Sequence, residues 1–135
     1  MGRQDLSGTG TGRSSPEGRL DEEILGELFE IMAGGGGDGL VTAYDLFLTG
    51  VPVRFAQMDD ALAEGRFDDA ARAAHTLRGS AGSFGARRLS GLTTLLEERC
   101  RQHDPVGAAL LVDEMRDEFG IFRAILVDRL AALAG

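Results

Sequence analysis

The chain has no lysine: all 14 of its basic residues are arginine. It also has no tryptophan, one tyrosine, three prolines and one cysteine. The missing lysine reads as a coding bias, so an arginine in a place where lysine is usual says little about function. One cysteine, Cys100, excludes an intrachain disulfide. No apolar run approaches the roughly 18–20 residues that a membrane-spanning helix needs. The opening Met1–Arg19 stretch lacks the apolar centre of a secretory signal, so we expect a cytoplasmic protein with no membrane partner. Positive charge is also scarce: 22 acids face 14 bases, for a net charge of −8. That balance argues against nucleic-acid binding, which depends on clustered cations. The glycine runs near residues 8–12 and 34–37 lack a Lys-Ser/Thr ending and a preceding strand, so they are not phosphate loops. Cys100 and His103 could both touch a metal, but two ligands do not make a site, and no metal or bound cofactor is expected. There is no nucleophile elbow and no paired-carboxylate cleft signature, so an autonomous enzyme is not expected.

The chain does have helical periodicity. Its 135 residues, 43% of them apolar, suit a single domain with a real core. Residues 1–19 are polar and glycine-rich and read as a flexible tail. The spacing predicts a first helix from about Leu20 to Ala33, with Asp21 as N-cap and Ile24, Leu28, Ile31 and Met32 inward; Gly34–Gly37 should break it. A second helix should run from about Leu40 to Ala63 on the seam Val41, Tyr44, Leu48, Val51, Phe55, Met58 and Leu62, with Pro52 kinking or locally unwinding it. A third, Phe67 to Phe84, turns Phe67, Ala70, Ala74, Leu77, Ala81 and Phe84 inward and stops at Gly85. A fourth, about Ala86 to Gln102, buries Leu89, Leu92 and Leu96. The last runs from about Val106 to Ala134 on Val112, Met115, Phe119, Phe122, Leu126, Leu130 and Leu133. No segment alternates as a strand would. The expected fold is all-α: an antiparallel four-helix bundle over residues 20–134, with a short N-terminal capping helix.

The third helix carries the chemistry. Opposite its core stripe, His75, Arg78, Gly79 and Gly82 fall three, four and seven residues apart and share a face. An interior helical glycine costs about 1 kcal/mol relative to alanine, and two on an exposed face gain nothing for the core. They would instead let another backbone approach His75. Ser80 and Ser83 flank the same low strip. A neutral imidazole offers a nucleophilic nitrogen. Phosphoryl transfer asks the protein mainly for positioning and positive charge, which Arg78 can supply. From Arg66 to Arg101, seven arginines face four acids, a local positive excess in an acidic chain.

The run His75-Thr76-Leu77-Arg78-Gly79-Ser80-Ala81, with Gly85 ten residues after the histidine, resembles the signature of the histidine-containing phosphotransfer (HPt) family. The Leu20-Asp21-Glu22-Glu23 opening, Pro52 and the Leu96-Glu97 pair extend the likeness over most of residues 20–134. The resemblance implies a phosphoryl carrier without its own ATP site. Its histidine would accept phosphate at Nε2, exchanging it with the aspartate of a response-regulator receiver domain or with a sensor histidine kinase. Carried over, His75 is the phospho-acceptor and Arg78 stands for the family lysine that faces the phosphoryl group. Glu97, twenty-two residues on, would accept a hydrogen bond from Nδ1 of His75. Arg72, Thr76, Gly79, Ser80, Gly82 and Ser83 would meet the partner. Any Mg2+ would belong to the receiver, and the charged outer faces suit a monomer. Arg66 departs from the capping Asp usual before the third helix. Two other readings stay open: a docking module that carries no phosphate, and the phospho-acceptor domain of a larger histidine kinase.

Overall fold

The computed structural model describes residues 16–134, all in helices and tight connections, with no strand among them. The all-α expectation holds. A single turn, α1 (Pro16–Arg19), leads into α2 (Glu22–Ile31), a π-helical stretch (Met32–Gly36), α3 (Gly37–Ala63), α4 (Phe67–Ser83), α5 (Arg87–Arg101) and α6 (Pro105–Ala134). The flexible tail expected over residues 1–19 falls outside the described residues as far as residue 15. Its last four residues are the helical turn α1.

Asp21 caps α2 by accepting a bond from the Ile24 N–H at 3.2 Å. The inward face of α2 differs from the expected one. Leu25 is buried and Leu28, Phe29 and Met32 pack on the core, while Ile31 faces solvent. Both sets have helical spacing; the choice between them was made by the surface beneath. At Gly35 the backbone turns to φ +95, and the chain changes direction between α2 and α3. Within α3 the helix runs through Pro52 without unwinding. Its core seam is Tyr44, Phe47, Val51, Phe55 and Met58; Val41, expected inward, is exposed, and Phe47 sits in the core. The stripes of α4, α5 and α6 are buried or partly buried as expected up to Leu130. The Leu133 side chain lies outside the described residues.

Consecutive long helices run in opposite directions, and each packs on two others. Phe55 of α3 meets Phe119 of α6 while Phe47, two turns earlier, meets Phe122. At one end of the α4–α5 pair, Phe67 stacks on His103 at 4.8 Å; at the other, Ser90 Oγ donates to the Arg78 carbonyl at 3.3 Å. The three turns between the long helices close in the same way. The N–H two residues past each C-cap reaches back to a carbonyl of the last turn: Arg66 to Ala61 (2.7 Å), Ala86 to Ala81 (2.8 Å) and Asp104 to Arg99 (3.0 Å). The residue before each donor has positive φ: Gly65, Gly85 and, unusually, His103 at φ 53. Arg66 makes no side-chain cap for α4, as its type foretold. Asp104 does cap α6, accepting from the Gly107 N–H at 2.9 Å, with Pro105 in the first helical position.

The segment from α1 to α2 lies over the α4–α5 turn and the second half of α6. The Asp21 N–H donates to the Gly85 carbonyl at 2.8 Å, Arg19 pairs with the buried Glu118 at 3.0 Å, and Arg129 grips both oxygens of Glu22 at 2.6 and 2.9 Å. Hydrogen bonding from Arg129 holds the Glu22 carboxyl below its ordinary value. A depressed folded-state pKa means that this link is fully present above the ordinary carboxylate value and is lost as pH falls through the lower folded one. Both side chains are half exposed, so screening keeps the link to about a few tenths of a kcal/mol. Glu22→Gln should therefore be slightly less stable than wild type at pH 7, and denaturant unfolding should show the gap closing at the acid end.

Candidate functional site

Small residues decide where α4 sits. Ala70, Ala74 and Ala81, with Leu77, let it press into the core between α3 and α5, which leaves His75, Thr76, Gly79 and Ser83 on the outside. Tyr44 fixes the end of α4. Its hydroxyl donates to the Phe84 carbonyl at 3.2 Å, and its ring lies 4.6 Å from that of Phe84, which also stacks on Phe47 at 4.8 Å. Burial pushes the Tyr44 hydroxyl pKa up, which keeps it a donor.

The His75 side chain is 66% exposed. One turn on, the Arg78 guanidinium places Nη2 3.0 Å from His75 Nδ1. The third group comes from α5: Glu97 is only 14% exposed, with Oε1 3.7 Å from Nδ1 and Oε2 3.3 Å from Arg78 Nη1. Its neighbour Glu98 turns outward to Arg101 and Gln102. The antiparallel run of α5 along α4 delivers Glu97, since Thr93, Leu96 and Cys100 point into the core and Glu97 falls beside them on the α4 side. The Glu97 Oε2 atom is buried without a hydrogen-bond partner among the described residues. No described residue hydrogen-bonds Nε2 of His75, so that nitrogen is open to an incoming group.

Around the imidazole the surface is low. Gly79 is exposed, and a Cβ there would meet nothing within 4 Å; Gly82 is partly covered, and a Cβ there would stand 3.7 Å from Ser90 Oγ. The hydroxyls fold back onto their own helix: Thr76 to the Arg72 carbonyl, Ser80 to Leu77 and Ser83 to Gly79. All six residues expected to meet a partner lie on α4, none more than eight residues from His75. The structure adds a wall that the sequence reading missed. Leu46, Gly50, Val53, Arg54 and Gln57 of α3 line a groove of about 450 Å³ with Thr76, Ser80 and Phe84. Leu46, Gly50 and Val53 stand four and three residues apart, off the core seam. An apolar second stripe of that kind was the available signal.

The basic zone read from the sequence is mostly neutralised. Arg66 pairs with Glu64 and Asp69, Arg72 with Asp69, Arg87 with Asp21, Arg88 with Glu114 and Glu118, and Arg101 with Glu98, while Arg99 bonds Gln102. Hydrogen bonds from Arg66 and Arg72 hold the Asp69 carboxyl below its usual range. The arginines nearest His75 along α4 are Arg78, which itself pairs with Glu97, and Arg72, one turn before. Among the described residues no three metal-ligating side chains cluster, and no helix is long and apolar enough to cross a membrane.

An exposed histidine, an arginine one turn on and two glycines thus stand on α4, with Glu97 Oε1 at 3.7 Å from Nδ1 rather than in the hydrogen bond expected of it. The Hpt domain family model matches residues 43–133, a stretch that includes His75, Arg78 and Glu97. Two solved structures share the fold. Histidine-containing phosphotransfer protein B (HptB) from Pseudomonas aeruginosa PAO1 is 28% identical, with a TM-score of 0.73 over 86% of this chain and 96% of that one. The maize histidine-containing phosphotransfer protein ZmHP2 is 21% identical, with a TM-score of 0.76 over 90% of this chain and 89% of that one, a likeness of fold alone. No curated protein sequence matches the chain. With a family match over two thirds of its length and the site residues inside it, the chain belongs to the Hpt domain family, the histidine phosphotransfer modules of phosphorelays.

Proposed function

We propose that His75 is the phospho-acceptor of this module and that it exchanges a phosphoryl group with the aspartate of a response-regulator receiver domain. The observation that carries the proposal is the exposed imidazole with a guanidinium at 3.0 Å and a largely enclosed carboxylate at 3.7 Å, set beside Gly79. In the forward step the Nε2 lone pair attacks phosphorus, the bond from phosphorus to the aspartyl oxygen breaks, and the carboxylate leaves with the electron pair. Arg78 supplies positive charge to the phosphoryl oxygens, the main help this reaction takes from a protein. Glu97 orients the ring and balances its charge once Nε2 is phosphorylated.

The partner lies on α4 at Arg72, Thr76, Gly79, Ser80, Gly82 and Ser83, with the α3 wall of the groove beside it. Residues 20–134 act as one antiparallel four-helix bundle, α3 to α6, capped by α2. The module is a carrier rather than an enzyme with an ATP site. It works as a cytoplasmic monomer between a sensor kinase and a receiver, and any Mg2+ sits on the receiver.

A panel of phosphorylated receivers tests the reading. At least one should label the wild-type chain, with an acid-labile, alkali-stable bond, and none should label His75→Gln at matched folding. Equal labelling of both chains would place the acceptor elsewhere. Binding of a receiver without any labelling, unchanged in His75→Gln, would make the chain a docking module.

A further inference from the structure

We infer that Arg78 sets the tautomer of His75, holding the neutral ring with its proton on Nε2 until an anionic phosphoryl group draws the guanidinium away. The inference deepens the acceptor assignment and rests on it. A guanidinium has donors and no acceptor. Its contact with Nδ1 at 3.0 Å therefore requires a lone pair on that nitrogen. The proton of the neutral ring must then sit on Nε2, the nitrogen that has to attack phosphorus.

Glu97 asks for the opposite arrangement. A carboxylate only accepts, so it can hold the ring only through Nδ1–H. Its Oε1 stands 3.7 Å away, beyond hydrogen-bond range. One nitrogen cannot satisfy both neighbours, and here Arg78 has the bond. The same guanidinium lies 3.3 Å from Glu97 Oε2, so it also occupies the carboxylate that would take the proton. That oxygen is buried and has the ion pair with Arg78 but no hydrogen bond, so when the guanidinium leaves, Nδ1–H is the donor at hand for the carboxylate.

A phosphoryl group competes with the ring for Arg78 on favourable terms, because its oxygens carry full negative charge and can take the guanidinium in a bidentate contact, which a single neutral nitrogen cannot. Once Arg78 moves to those oxygens, Nε2 can lose its proton to solvent while Nδ1 gains one from solvent and donates it to Glu97. The freed Nε2 lone pair then forms the nitrogen–phosphorus bond as the phosphorus–oxygen bond to the donor breaks. The ring, now cationic, keeps Nδ1–H against Glu97. The nucleophilic form of the ring thus arises only when the group to be transferred is at hand. Arg78 is a positioning residue for His75 as well as a charge for the phosphoryl group.

Two-bond proton–nitrogen correlation spectra of the imidazole, recorded where the neutral ring dominates, report the tautomer without any transfer reaction. Wild type should show mainly Nε2–H. Arg78→Ala should move the ratio toward Nδ1–H by about tenfold, the factor that one net hydrogen bond carries. Arg78→Ala combined with Glu97→Ala should move it back. The same spectra show whether each variant is folded, and Arg78→Gln serves where the alanine variant is not. An unchanged ratio in Arg78→Ala, or a wild type already in the Nδ1–H form, would overturn the inference. Labelling by receivers is read separately, so the tautomer response can stand while the acceptor assignment falls, and the reverse.

Discussion

Replacing Gly85 with alanine is expected to lower the unfolding free energy by about 2–4 kcal/mol, the sum of a left-handed backbone penalty and overpacking. Gly85 has φ +85 and closes the α4–α5 turn, with the Ala86 N–H reaching back to Ala81. A Cβ there would stand 2.9 Å from Leu25 Cγ and 3.2 Å from Cδ2, with the Asp21 carbonyl oxygen at 3.4 Å. Leu25 is buried and cannot swing aside, and the Asp21 N–H is bonded to the Gly85 carbonyl. The methyl group would therefore push α2 off the end of the α4–α5 pair. Against a typical domain stability of about 5–15 kcal/mol this is a large share. Urea unfolding of the two chains checks it, and a loss below about 1 kcal/mol would mean that the turn tolerates a side chain.

Gly79 should behave in the opposite way. Its Cβ position is open and its backbone is ordinary helix, so Gly79→Ala should stabilise the fold by about 0.5–1 kcal/mol. A helical glycine that the fold does not require is explained by what approaches it from outside. Gly79→Leu should keep the fold yet slow transfer from a receiver by about 100-fold or more, because even a 1 Å misplacement of reacting groups costs that much. Labelling of His75 by a small donor such as phosphoramidate should stay near the wild-type rate, since nothing large has to dock. Transfer from a receiver at the wild-type rate in Gly79→Leu would remove the docking role. Equal slowing with both donors would point to damage at the imidazole itself.

The contrast between these two glycines shows what can be read from sequence. Both were singled out by position: Gly85 as a stop after an inward stripe, Gly79 as a gap on an outward face. Helix spacing alone put His75, Arg78 and Gly79 on one exposed strip, and the structure keeps them there. The clamp on Gly85 by Leu25 was not legible, because it depends on how α2 crosses the end of α4 and α5. For the same reason Ile31 was placed inside and Leu25 was not noticed. On α3 the 3–4 pattern could begin at Val41 or be carried by Phe47, and only the aromatic contacts of Phe47 with Phe84 and Phe122 decide between them.

Charge was the least legible property. Counting arginines between residues 66 and 101 gave a basic zone, but two of them find partners far away in the chain: Asp21 for Arg87, Glu114 and Glu118 for Arg88. Glu118 lies in an acidic stretch that reads as a solvated face. It is nevertheless buried, 4% exposed, between Arg19 and Arg88. The approach of Glu97 to His75 was foreseeable only from the family likeness. Spacing on two different helices says nothing about distance until the helices are packed.

The most direct test of the account is to find the phosphoryl group. The wild-type chain, labelled by a phosphorylated receiver, can be studied by phosphorus and nitrogen NMR. We predict one phosphohistidine, with phosphorus coupled to Nε2 of His75. The chain has one other histidine, His103, stacked on Phe67 at the start of α4, eight residues before His75, which serves as an internal control. Phosphorus on His103, on Nδ1, or in an acid-stable bond to another residue would contradict the account.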